Sequence, residues 1–247
     1  MVHRAFAQTL LMMWERAYGL SLVQKGLTLL SLAMPEASIS QLANLTIGER
    51  DAALLDLRAS LYGPQIESIA GCPQCSTQLQ ISFSTGDIRL EASSSPSPLT
   101  THIEGRSVTI RPLTSADLLA VGFESSAHLR RQALLNRSVT VITDDSSEKT
   151  PAQLANWGET AQKAIAHLLA TIDPQADIRI ALDCSSCHHK WSSRFDIASH
   201  LWAEVDVFAQ RLMAEVHALA FAYGWTERDI LSMTPWRRQL YMGMLRR

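Results

Sequence analysis

IAGCPQCSTQLQISF (residues 69–83) and IALDCSSCHHKWSSRF (residues 180–195) follow one plan: a short alternating run, a Cys-x-x-Cys turn, and a second strand-like run behind it. They contain all four cysteines of the chain, Cys72, Cys75, Cys184 and Cys187. A Cys-x-x-Cys turn presents two thiolates on one side of a tight loop. Two such turns together supply the four soft ligands that zinc (Zn2+) takes in a closed tetrahedral site. The sequence therefore predicts a zinc ribbon split by residues 76–183, with Cys72, Cys75, Cys184 and Cys187 as metal ligands.

Two other readings of these cysteines compete with zinc. A thioredoxin-like redox pair opens a helix inside a strand-helix-strand unit, whereas strand-like sequence follows both pairs here. Four ordinary reduced thiols would not need to be arranged as two matched pairs. His188 and His189 follow Cys187 directly, but four thiolates already complete a tetrahedron, so they read as neighbours of the site and not as ligands.

Working outward, Thr46 and Glu49 have capping-box spacing and precede Leu54, Leu55, Leu57 and Leu61, and Gly63-Pro64 ends the run. This predicts a helix over 47–62. Before it, the apolar spacing from Ala5 to Ala33, interrupted at Gly19 and Ser21, predicts a helical pair ending at Pro35. Beyond the first cysteine pair, EASSSPSPLTT (residues 91–101) reads as an exposed connection. A strand is expected at Ser107–Arg111, helices at Ser115–Phe123 and Ser126–Arg137, a polar loop at Thr143–Thr150, and a helix at Pro151–Thr171.

The carboxyl-terminal third has the most regular pattern. Leu201, Val205, Phe208, Leu212, Val216 and Leu219 form one stripe closed by Gly224, which predicts a helix over 198–223. Thr226 with Asp229, and Thr234 before Pro235, mark the starts of two further helices, the last of them basic through Arg237, Arg238, Arg246 and Arg247. The expected fold class is α+β. A helical region spans 1–64, a split ribbon 65–90 and 177–197, an inserted α/β region 91–176, and a second helical region 198–247.

A formal net charge of −2, with 47% hydrophobic and 19% charged residues, describes a globular chain with no global pull on nucleic acid or anionic lipid. The apolar run near the amino terminus is too short for a secretory core and is followed by Glu15 and Arg16, so no export signal is expected. No run approaches the roughly 20 apolar residues of a membrane span, and paired thiols suit a cytoplasmic location. Phosphate-cradling glycine loops, HExxH helices and nucleophile elbows are absent from the sequence, so no catalytic residue, cofactor-binding residue or small-molecule substrate is expected.

Four segments together carry a resemblance: IGERDAALLDLRASLYG (47–63), CPQCSTQLQISF (72–83), CSSCHHKWSSRFDIASHLWAEV (184–205) and EVHALAFAYGWTERDILSMTPWRRQLYMGML (215–245). With VTIRPLTSADLLA (108–120) between them, they resemble the T-even, T4-type phage baseplate hub assembly proteins, including relatives encoded with contractile injection systems. The resemblance implies a non-enzymatic assembly chaperone or structural component whose partners are hub, spike or wedge subunits of a contractile tail. The rival function is a zinc-ribbon regulator that binds nucleic acid. Such a module should be basic around its ribbon, yet Ile66–Phe83 holds no Lys or Arg.

Overall fold

A computed structural model describes residues 2–90, 97–142, 149–151 and 157–245. It is a mixed α+β structure with small antiparallel sheets. Two compact units emerge: one formed by residues 1–29 and 199–247, the other by residues 30–198.

In the unit spanning 30–198, capping side chains set the helix starts. Helices α1 (Val2–Ala17) and α2 (Leu22–Ala33), the second of which runs into this unit, come first in the chain, separated at Gly19, whose φ of 79° is the left-handed turn that a β-carbon would strain. Helix α3 (Ile39–Asn44) begins with a box between Ser38 and Gln41, and α4 (Ile47–Tyr62) with the expected one between Thr46 and Glu49. The Glu49 amide donates to Thr46 Oγ1 at 3.1 Å, and the Thr46 amide donates to Glu49 Oε2 at 2.9 Å. The α4 limits are those expected from the sequence.

Buried Leu54 and Leu55 point α4 into the core, and both ends of the helix are tied down. At its start the Ile47 amide donates to the Leu113 carbonyl at 2.9 Å, and the Gly48 amide donates to Asp173 Oδ2 at 3.0 Å. At its end Arg58 donates to the carbonyls of Gly63 and Gln65 and so sets the angle at which the chain enters the first strand.

That strand, β1 (Gln65–Gly71), pairs antiparallel with β2 (Gln78–Ser84), and a short helix α5 (Thr85–Ile88) follows. A four-stranded meander comes next, in the order β3 (Leu99–Ile103), β4 (Arg106–Ile110), β5 (Val139–Ile142), β6 (Lys149–Pro151). Helices α6 (Ser115–Ala120) and α7 (Ala127–Ser138) lie between β4 and β5 in sequence, and α8 (Glu159–Ile172) follows β6. Ile103, Val108, Ile110, Leu135, Trp157 and Ile165 form one buried cluster, with one face of the meander packed by α7 and α8. A 3-10 turn at Pro174–Ala176 leads into the hairpin of β7 (Arg179–Asp183) and β8 (Lys190–Arg194).

The sequence reading needs correction in this insert. Residues 99–101, expected in an exposed connection, belong to β3, held by its register with β4. Lys149 and Thr150, expected in a polar loop, pair with β5 as part of β6, and Pro151 ends that strand and does not open a helix. The helix starts only at Glu159, because Trp157 is buried in the sheet core ahead of it. Helix α6 stops at Ala120, short of Phe123, with Val121 capping it before Gly122. The other parts of 91–101 and 143–158 that were read, residues 91–96, 143–148 and 152–156, lie outside the described residues.

In the other unit, α9 (Ile197–Tyr223) is the longest helix, closed by Gly224 at φ 67°, and is followed by α10 (Glu227–Ser232) and α11 (Pro235–Leu245). Ala7 and Leu11 of α1 pack with Ala209 and Leu212 of α9 and Leu231 of α10. The Trp14 indole N–H donates to Asp206 Oδ1 at 2.6 Å, which fixes α1 against α9. Arg238, one of the residues that make the last helix basic, is buried in an ion pair with Glu215 at 3.1 Å. Arg246 and Arg247 lie outside the described residues.

Candidate metal centre

The two Cys-x-x-Cys turns are built alike, down to their backbone hydrogen bonds. In the first, the Cys72 amide donates to the Thr77 carbonyl at 2.9 Å and the Ser76 amide to the Cys72 carbonyl at 2.9 Å. In the second, the Cys184 amide donates to the His189 carbonyl at 3.0 Å and the His188 amide to the Cys184 carbonyl at 2.8 Å. The residue after each second cysteine is left-handed, Ser76 at φ 61° and His188 at φ 55°. Neither is glycine, so each turn carries a local cost of about 1 kcal/mol that the surrounding structure offsets.

The structure brings all four sequence-expected ligands together. The Sγ atoms of Cys72, Cys75, Cys184 and Cys187 lie within 4.8 Å of one another. Cys72 and Cys187 are 3.7 Å apart and Cys75 and Cys184 3.5 Å. Four thiolates around zinc at about 2.3 Å stand about 3.8 Å from each other. The donor set thus fits a tetrahedral, thiophilic divalent ion in number, chemistry and spacing. Among the described residues this is the one group of His, Cys, Asp or Glu side chains that could hold a metal ion.

The electrostatics of the cluster point the same way. The Thr77 hydroxyl, and then its backbone, holds the Cys75 thiol down at about 6. Cys187 is pushed up to about 12: its backbone contact with His189 favours the thiolate, but desolvation and the three neighbouring sulfurs outweigh it. One thiolate forms readily here and the last does not, because like charges this close oppose each other. A bound divalent cation would remove that repulsion. Cys72 and Cys184 are buried, Cys187 is half-buried and Cys75 is exposed, so the cluster has a closed side and an open one.

The histidines stay out of the sulfur cluster. His188 makes the left-handed turn, and His189 stacks on Trp191 with ring centroids 6.0 Å apart. Thr77, whose Oγ1 lies 3.3 Å from Cys75 Sγ, was not singled out from sequence; a hydroxyl two positions after an expected ligand was the available signal. Behind the sulfurs, Phe83 meets Phe195 edge to face at 5.3 Å and joins the two hairpins on their apolar side. The basic residues of the second hairpin have acidic neighbours: Lys190 faces Asp183, and Arg179 and Arg194 both face Asp177.

Among the described residues no helix is long and apolar enough to cross a membrane. The family described as T4 bacteriophage base plate protein matches residues 28–202. The matched span takes in both cysteine pairs and nearly coincides with the compact unit 30–198. Segment 215–245, which also carried the sequence resemblance, lies beyond it. No curated protein and no solved structure matches the chain.

Proposed function

Since the chain belongs to the T4 bacteriophage base plate protein family, with a structural or assembly role in a phage baseplate, we propose that it works by binding hub, spike or wedge subunits. It acts without catalysis, as a cytoplasmic assembly chaperone or a resident component of a phage tail or a related contractile injection system. The observation that carries this reading is a family match that spans both cysteine turns and everything between them.

In this reading Cys72, Cys75, Cys184 and Cys187 hold zinc, which supplies a cross-link between two hairpins distant in sequence and no reaction. The hairpins at 65–90 and 177–197 then form one split ribbon on which the α/β insert 91–176 is mounted. The helical regions 1–64 and 198–247 flank it. A binding role is supported by large exposed aromatics: Phe123 is 97% exposed and Trp236 is 73% exposed. Aromatic side chains concentrate binding energy where a partner's pocket desolvates them. The nucleic-acid alternative has less support, because the basic side chains of the second hairpin each face a carboxylate.

Co-expression with hub, spike and wedge subunits followed by co-purification tests the reading. Retention of one such subunit is the expected result. A chain that binds none of them, in a system whose tails assemble normally without it, would sink the proposal. Salt-dependent binding of generic DNA or RNA would favour the regulator instead.

A further inference from the structure

The solvent face of α9 lacks the charge that an exposed helix face usually carries. Among the exposed residues of this helix, Arg211 is the one formally charged side chain, with histidine taken as neutral. Val207 is 66% exposed and Phe221 is 88% exposed. Val207, Ala214 and Phe221 are seven residues apart, and Ala203, Gln210 and His217 interleave with them at the alternating three- and four-residue spacing of a coiled-coil seam. The helix already uses its opposite face, through Leu201, Val205, Ala209 and Leu212, for its own core. The helix thus buries one face and leaves a second seam uncovered, in which Gln210 and His217 alternate with Val207, Ala214 and Phe221.

We propose that this seam is a docking surface for a second copy of the chain, with the two α9 helices parallel. In that arrangement each residue of the seam meets its own counterpart, Val207 on Val207, Ala214 on Ala214 and Phe221 on Phe221. The flanking positions decide both the occupant and its direction. Asp206 and Arg211 sit on opposite flanks of the seam, five residues apart, which is the spacing at which opposite charges meet across a parallel pair. Antiparallel pairing would instead bring Arg211 towards Arg211 of the other copy. Asp206 is half-buried and accepts from Trp14 and Gln210 within its own chain, at the edge of the seam. Met213 and Ala218, the next flanking pair, are apolar and extend the contact.

Three heptads make a modest interface, so a concentration-dependent dimer with Kd on the order of 10 µM is expected. Sedimentation equilibrium of the full chain up to about 100 µM reads it directly. Val207→Glu, at an exposed position, should leave the circular dichroism unchanged and shift the equilibrium to monomer. Arg211→Glu sets two carboxylates against each other across the pair and should weaken it about ten-fold. Ala214→Arg serves as a second seam variant should Val207→Glu perturb the fold. A parent that stays monomeric at the top concentration overturns the proposal, as does a dimer indifferent to the seam variants. A dimer lost with Val207→Glu but no weaker with Arg211→Glu overturns the parallel pairing. A monomeric parent that loses a co-expressed baseplate subunit on Val207→Glu assigns the seam to that subunit and overturns the second-copy reading.

Discussion

Cys72 and Cys187 lie 115 positions apart in sequence, and their Sγ atoms lie 3.7 Å apart in the structure. A contact of that sequence separation closes a very long loop. Its entropic cost rises only slowly with length, so one strong bond at the closure can stabilise everything threaded between.

Cys184→Ser tests that bond. The parent should contain about one zinc per chain, and the variant should bind it far more weakly. At free zinc about 1,000-fold above Kd the metal contributes about 4 kcal/mol, so chelation should lower the parent's melting temperature and leave the variant's nearly unchanged. Metal analysis with thermal melts, with and without chelator, reads both effects. Equal melting of parent and variant at saturating zinc would show that the sulfurs do not fasten the fold.

Gly48→Ala tests the seat of α4. A β-carbon at this position would stand 1.8 Å from Asp173 Oδ1, so the carboxylate must leave and the Gly48 amide loses its buried acceptor. The variant should be destabilised by about 2 kcal/mol in urea unfolding, despite the better helix propensity of alanine. A second substitution, Asp173→Ala, should recover part of the loss by making room.

Asp117→Asn tests the ion cluster at α6. Burial alone would raise this carboxyl, but hydrogen bonds from Arg111, the Thr114 backbone and Arg137 outweigh it and hold the group well below the usual carboxylate range. Its two oxygens accept from Arg111 at 2.7 and 2.9 Å, and one also accepts from Arg137 at 2.9 Å. A folded-state value below the unfolded one means that the stabilisation is complete above roughly pH 4 and disappears as the pH falls further. The variant should be less stable at pH 7 by about 2 kcal/mol, and it should lose less stability than the parent below pH 4. Chemical denaturation across that range measures the difference.

Arg238→Met tests the closure of the terminal helices. The pair with Glu215 is almost fully buried, and Arg238 also donates to the Met233 carbonyl at 2.9 Å. Removing one partner strands a buried charge, at a cost of about 3 kcal/mol or more. The double variant Arg238→Met with Glu215→Leu should recover most of it, because no charge is then left unpaired. A double-mutant cycle by urea unfolding separates the two effects, and two additive losses would refute the coupling.

β6 pairs with β5, which itself meets its other partner β4 only across α6 and α7, and nothing in Lys149–Pro151 itself announces the pairing. Val139–Ile142 is only four residues long, too short for alternation to identify before its partner β4 is known. Arg238 gave a basic reading because its neighbours in sequence are polar, whereas Glu215, which neutralises it, lies in a different helix.

By itself the sequence determined the two cysteine turns, the capped start and glycine stop of α4, the reach of α9 and the breaks at Gly19 and Gly224. Each of these rests on interactions within a few residues: a side chain on a nearby amide, a left-handed turn, or an apolar period. Only the tertiary structure placed the four expected sulfurs within 4.8 Å of one another and decided that β6 completes a sheet and that Arg238 is buried while Phe221 and Val207 are not. Those outcomes depend on how segments distant in sequence pack and exclude water together, which the spacing within one element does not specify.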